Sequence, residues 1–239
     1  MTKPLVVLLH GIARSDWDMY PLQLRLEKRG YDCLNIKYPS TKHSLEDLSD
    51  IVAEQIENDE RFEGATSINF VAHSMGGVLT RYILAKHRPE KLGRVVMMGT
   101  PNQGSHVADF LMGEENGFKR TLKNAFKRLW GPAGHQLGTN MEHVDGNKVD
   151  YELGVIASDI SLNPLQKHMF DAPNDTLVSV EATKVEGMND HIIIPSTHSI
   201  MMFDPRVTDQ VIEYLKNGSF DHKDDLKPEI LPDPTDGPA

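Results

Sequence analysis

The chain has 239 residues, 39% of them hydrophobic and 25% charged, and a formal net charge of −10. Its length suits one domain of the larger α/β type or two small ones, with ample material for a buried core, and its composition is that of an ordinary globular protein. The acidic balance repels phosphate backbones and anionic head groups, which argues against nucleic acid as a partner, and the one cysteine, Cys33, can form neither an internal disulfide nor a cysteine-based metal site.

Leu5–Leu9 is a continuous apolar run of five residues. It reads as a buried strand, too short for a signal-peptide core and far too short to span a bilayer. No later stretch reaches membrane length, so a cytoplasmic protein without an integral membrane segment is expected. Asp18 to Arg29 carries Met19, Leu22 and Leu26 at helical spacing, and Gly30 closes it. Cys33 to Ile36 predicts a second strand. Ser44 opens a helix with Asp47 three residues on and an apolar stripe of Leu45, Leu48, Val52 and Ile56.

Ser67 to Ala72 predicts a third strand, and Val78 to His87 a helix that stops before Pro89. Arg94 to Met98, Glu152 to Ala157 and His191 to Ile194 predict three more strands. Val207 to Lys216 is a last helix, ended by Asn217-Gly218. Such alternation predicts an α/β fold with a mostly parallel sheet covered by helices on both faces. One domain over residues 1–218 is expected. Residues 219–239 hold four prolines, six acids and two lysines, and read as a disordered acidic tail. Residues 103–150 form a long insertion between two strands.

The strongest chemical signal is Phe70-Val71-Ala72-His73-Ser74-Met75-Gly76-Gly77. A buried strand runs into a serine and a helix follows at once, the context that a small-x-Ser-x-Gly motif needs. Only small residues fit two positions before and two after such a serine, and Ala72 and Gly76 qualify. The serine lies at a helix N-terminus, whose free N–H groups favour developing negative charge.

Here the chain resembles the α/β-hydrolase superfamily, in particular small bacterial lipases and related esterases. Ala72, where glycine is usual, is a mild departure. His10-Gly11-Ile12 follows the first strand, where such lipases place their first oxyanion-hole residue. Gly99-Thr100-Pro101-Asn102-Gln103-Gly104-Ser105 resembles the lipase segment after the nucleophile helix and its next strand. Thr197-His198-Ser199 follows the last strand, where the family keeps its histidine. The resemblance covers roughly residues 4 to 216, with the motifs in the family's order. It implies a helical insertion after the strand that follows the nucleophile helix, a serine nucleophile at Ser74, and oxyanion donors at the backbone N–H groups of Ile12 and Met75.

Serine needs a base during attack, and histidine suits that task. The chain order of this fold, serine then acid then histidine, leaves His87, His106, His135, His143, His168, His191, His198 and His222. His87 lies late in the nucleophile helix, His222 lies in the tail, and His191 begins a strand rather than ending one. His198 sits past the strand's carboxyl end, where open α/β sheets place their sites. His10 reads as a hydrogen-bonded structural histidine beneath the oxyanion loop. For the acid, Asp159, Asp171 and Asp175 follow the fifth strand. Pro173-Asn174-Asp175-Thr176-Leu177-Val178 resembles the family's Asn-Asp-Gly-x-Val loop, with Thr176 in the glycine place. Asp175 is the leading choice and Asp159 the alternative.

Within the insertion, Phe118, Leu122, Ala125 and Leu129 share a helical face bordered by Lys119, Arg120, Lys123, Lys127 and Arg128. A lid with a basic rim and a plain crossover helix both fit this pattern. Trp130 can wall an acyl pocket or belong to the core. No ligand cluster predicts a metal and no Gly-rich phosphate loop predicts a nucleotide, so no cofactor is expected. The expected function is a carboxylic-ester hydrolase acting on a small-molecule or lipid ester through an acyl-enzyme. The alternatives are an acyltransferase, thioesterase or amidase with the same residues, and a non-catalytic binding protein on this scaffold.

Overall fold

The computed structural model describes residues 2–105, 107–109, 130–139, 147–161 and 172–223. Its centre is a six-stranded sheet: β1 (Leu5–Leu9), β2 (Asp32–Ile36), β3 (Ile68–His73), β4 (Leu92–Met98), β5 (Leu153–Ala157) and β6 (Asp190–Ile193). All neighbours are parallel, in the order β2-β1-β3-β4-β5-β6. Among the described residues, helices α1 (Tyr20–Glu27), α2 (Leu45–Glu57), α3 (Met75–Lys86) and α4 (Pro205–Asn217) flank it.

The period-two alternation of strand side chains divides the apolar residues between two cores. Leu5, Val7, Leu9, Phe70 and Met97 face α2 and α3. Val6, Leu8, Val71, Val96 and Met98 face α1 and α4. A central parallel strand is thus buried on both sides, which is why β1 is apolar without interruption.

Local signals set the start of α2 and both ends of α4. Ser44 Oγ accepts from the Asp47 amide at 3.2 Å and caps α2. Asp204 caps α4, Pro205 begins it, and Gly218 ends it in the left-handed conformation at φ 76°. The segment expected as one helix from Asp18 is instead a 3-10 turn, Asp16–Met19, running into α1.

The domain extends further than expected. Phe220, assigned from sequence to the disordered tail, is buried against Tyr214 with ring centroids 4.9 Å apart. Its amide donates to Asp190 Oδ2 at 2.7 Å. The rest of the tail, from residue 224, lies outside the described residues, as does the proposed insertion helix with Phe118, Leu122, Ala125 and Leu129. Residues 130–137, also within the insertion, dock on the start of α2. There the Leu45 amide donates to Gln136 Oε1 at 2.7 Å, and the Ala133 amide to His43 O at 3.1 Å. Among the described residues no helix is long and apolar enough to cross a membrane.

Candidate active site

The chain leaves β1 toward β2 on one side and later places β3 on the other, so the strand order reverses between β1 and β3. Open α/β sheets leave a crevice at the carboxyl ends of the strands at such a point. The loop after β1 carries Gly11 and Ile12, and the turn after β3 carries Ser74.

Ser74 occupies a strained conformation, φ 55° and ψ −126°, between the end of β3 and the start of α3. Its amide donates to Met98 O at 2.9 Å, which ties the turn to β4. Gly76 permits the tightness. A Cβ there would stand 2.6 Å from Leu9 O and 2.7 Å from His10 O, both rigid backbone. Gly76→Ala is therefore expected to destabilise the fold by about 1–3 kcal/mol, as overpacking against backbone does, and to lower activity by pushing the start of α3 off the β1 loop. Urea denaturation checks the first effect, and a variant as stable as the parent contradicts the packing argument.

His198 lies in the loop after β6. Its Nδ1 stands 2.8 Å from Asp175 Oδ2, and its Nε2 stands 2.9 Å from Ser74 Oγ. A carboxylate only accepts, so Nδ1 carries the proton and neutral Nε2 accepts from the serine hydroxyl. The three side chains form one hydrogen-bonded line and are all buried, Ser74 keeping 8% of its surface exposed.

Asp175 is held in a turn of its own making. Its Oδ1 accepts from the Leu177 and Val178 amides at 3.0 and 2.8 Å. Its Oδ2 accepts from Ser158 Oγ at 3.2 Å as well as from His198. Thr176, at the glycine place, adopts φ 97°, a costly conformation for a β-branched residue. The segment expected from sequence at 99–105 supports this turn: Ser105 Oγ donates to Leu177 O at 2.7 Å. Gly99 abuts the acid and the histidine. A Cβ on it would lie 3.3 Å from His198 Nδ1 and 3.4 Å from Asp175 Oδ2.

The other candidates lie elsewhere. Asp159 is exposed, and its buried neighbour Ser158 makes the contact with Asp175. His87 pairs with Asp50, His191 with Thr183 and His222 with Asp190. His135 is exposed on the segment that docks against α2. His106, His143, His168 and Asp171 lie outside the described residues. Cys33 is no rival nucleophile: burial pushes its thiol up to about 12.

Sequence reasoning missed four neighbours. Ser158 could have been noticed as the first residue past a buried strand. His73 Nε2 donates to His198 O at 2.9 Å, and burial, then the neighbouring His198, hold its pKa well below 6.5. It is a neutral strut under the histidine loop. Arg14 bridges two loops, donating to Asp18 Oδ1 at 2.7 Å and to Ser199 O at 3.1 Å. Ser40 Oγ accepts from the amide of Ala13, a residue in the left-handed region at φ 54°.

Ile12, Arg14, Trp130, Leu177 and Ser199 line a crevice of about 500 Å³ with Ser74 and His198. Trp130 also packs against the core under α2 and α3. Met75 opens α3, which brings that helix N-terminus to Ser74. A larger depression of about 710 Å³ lies at the opposite, amino ends of the strands. Two pairs of its charges neutralise each other, Arg88 with Asp150 and Arg94 with Glu152.

Comparison with known proteins agrees with this architecture. The profile of the α/β-hydrolase fold matches residues 4–133. A triacylglycerol lipase of Pseudarthrobacter phenanthrenivorans is 28% identical over 144 residues, covering 54% of this chain and 44% of that protein. A triacylglycerol lipase of Burkholderia plantarii is 28% identical over 144 residues, covering 54% of this chain and 39% of its own length. The match thus spans less than half of each of these relatives. Among solved structures, a mature Bacillus licheniformis lipase superposes with a TM-score of 0.71 at 18% identity, covering 90% of this chain and 92% of that one. A Legionella pneumophila phospholipase gives 0.68 at 13% identity, covering 92% and 60%. The profile match takes in more than half of the sequence, and the chain belongs to the α/β-hydrolase fold family.

Proposed function

We propose that the protein is a serine hydrolase of the esterase or lipase class, cleaving carboxylic esters through an acyl-enzyme on Ser74. The observation that carries this reading is the buried line Ser74–His198–Asp175, with contacts of 2.9 and 2.8 Å. In the first half-reaction Ser74 Oγ bonds to the acyl carbon as His198 Nε2 takes the hydroxyl proton. The tetrahedral oxyanion then collapses, the ester C–O bond breaks, and His198 returns the proton to the departing alcohol. Water repeats the sequence on the acyl-enzyme and releases the acid. Asp175 holds the Nδ1–H tautomer and steadies the imidazolium. The N–H groups of Ile12 and Met75 face the oxygen that gains charge.

The crevice offers an acyl chain an apolar wall beside the polar Arg14, Ser15 and Asp18. Ile12, Leu177 and Trp130 line it. Exposed Trp17, Tyr20, Ile200 and Phe203 neighbour its lining residues Asp18 and Ser199 in the chain, with Trp17 at 74% and Ile200 at 55% exposure. These residues belong to segments that pack on one another. Each buried methylene is worth about 0.8 kcal/mol. The kcat/KM for p-nitrophenyl esters is accordingly expected to rise at least about tenfold from acetate to octanoate. A flat or falling series would exclude an acyl pocket here. Labelling by a fluorophosphonate in the parent and not in Ser74→Ala tests the nucleophile, and turnover of thioesters or transfer to alcohols far above ester hydrolysis would replace the esterase reading.

A further inference from the structure

The loop after β1 contains a conflict that one side chain resolves. Gly11 sits against the nucleophile: a Cβ there would lie 3.1 Å from Ser74 Cβ and 3.2 Å from His73 Nδ1. A side chain at residue 11 would press on the reacting serine. Glycine relieves that pressure but leaves the backbone rotations around it unusually free. The Gly11–Ile12 peptide carries both the Gly11 carbonyl and the Ile12 N–H. Were it to turn over, a carbonyl dipole would point where an oxyanion donor is needed.

We propose that His10 is a positioning residue, locking the Gly11–Ile12 peptide so that the Ile12 N–H faces the crevice. This inference rests on the assignment of Ile12 to the oxyanion hole. His10 Nδ1 lies 2.8 Å from Gly11 O, in a buried contact. The carbonyl only accepts, so Nδ1 donates. The peptide is trans and planar, and its C=O and N–H therefore point in opposite directions. Holding the oxygen toward His10 aims the Ile12 N–H away from His10, on the side where Ile12 lines the crevice with Ser74 and His198.

The lock is itself fixed. The His10 ring stacks on Tyr38 with centroids 4.1 Å apart and planes 14° from parallel. The Tyr38 hydroxyl donates to His10 O. His10 Nε2 is buried without a partner among the described residues, as suits a nitrogen that carries no proton to donate. Burial lowers the His10 pKa, and the ring stays neutral with its one proton on Nδ1. His10 touches no reacting atom in this scheme. It acts through the peptide bond that follows it.

Two amide substitutions separate this role from packing. In His10→Asn the amide nitrogen can reach the place of Nδ1, whereas in His10→Gln it reaches only as far as Nε2. His10→Ala and His10→Gln are expected to lose about 100-fold in kcat, the usual cost of one oxyanion donor, with KM within about twofold. Affinity for a boronic acid, which mimics the tetrahedral oxyanion, falls by a matching factor in both. His10→Asn recovers to within about tenfold of the parent. Equal activity in the Asn and Gln variants, or a loss that follows the fall in Tm, overturns the proposal. Nitrogen NMR of the parent provides a test without turnover: a protonated Nδ1 is expected on His10, and a protonated Nε2 overturns the lock. A parent that is not labelled by fluorophosphonate and cleaves no ester would instead sink the hydrolase reading, and the tautomer would still decide the question of His10.

Discussion

Ser74→Ala is expected to remove ester hydrolysis, with kcat falling about 10⁴- to 10⁶-fold, while the fold keeps its stability. The side chain is small, and its hydroxyl meets His198 at the crevice rather than the core, so truncation opens no sizeable cavity. The strained backbone at φ 55° is held by the Met98 carbonyl and the close contact at Gly76, and neither involves Oγ. His198→Ala should cost nearly as much. The double variant should cost little more than either single one, because base and nucleophile act as a unit. Measured kcat values that multiply across the two sites would show that His198 is not the base for Ser74. Normal turnover by purified Ser74→Ala would remove the mechanism altogether.

How much of this was legible in the sequence depended on how local each cause is. β1 is legible because five consecutive buried residues need no partner to announce themselves. The start of α3 is not. The helix begins at Met75, yet Gly76 and Gly77 have poor helix propensity, so periodicity becomes visible only at Val78. Gly76 answers to a contact with Leu9 and His10, more than sixty positions earlier in the chain, and Gly77 to one with Thr100. Phe220 failed for a related reason. One aromatic among acids carries no periodic signal, and its place against Tyr214 and Gly154 exists only once β5 and α4 have come together. In the site, the serine was announced by its strand-turn-helix context and the histidine by its position past the last strand. The supports were silent. No sequence pattern states that Ser158 Oγ reaches Asp175, that His73 holds the His198 carbonyl, or that the His10 ring turns toward Gly11 O.

The choice between two aspartates shows where sequence reasoning stops and what experiment follows. Both Asp159 and Asp175 come after β5 and before His198, so chain order alone does not separate them. Geometry does: Asp159 is exposed, whereas Asp175 is fully buried with Oδ2 at 2.8 Å from His198 Nδ1. Asp175→Asn is expected to lower kcat/KM about 10³- to 10⁴-fold. Asparagine is isosteric, and its carbonyl oxygen can still accept from the Leu177 and Val178 amides, so the turn survives. That orientation leaves an NH₂ facing His198 Nδ1. Two donors then oppose each other, the imidazole is driven to the Nε2–H tautomer, and it can no longer accept the Ser74 proton. If the amide flips to face His198 with its oxygen, its NH₂ meets the two backbone amides instead, and the charge that steadied the imidazolium is still gone. Either arrangement slows the reaction. Asp159→Asn, at an exposed position outside the line, should stay within about twofold of the parent, as substitutions away from such features do. Measuring kcat/KM for both variants on one soluble short-chain ester decides the matter. A crippled Asp159→Asn beside a near-normal Asp175→Asn would exchange the two assignments, and full activity in both would mean that His198 works without a carboxylate partner.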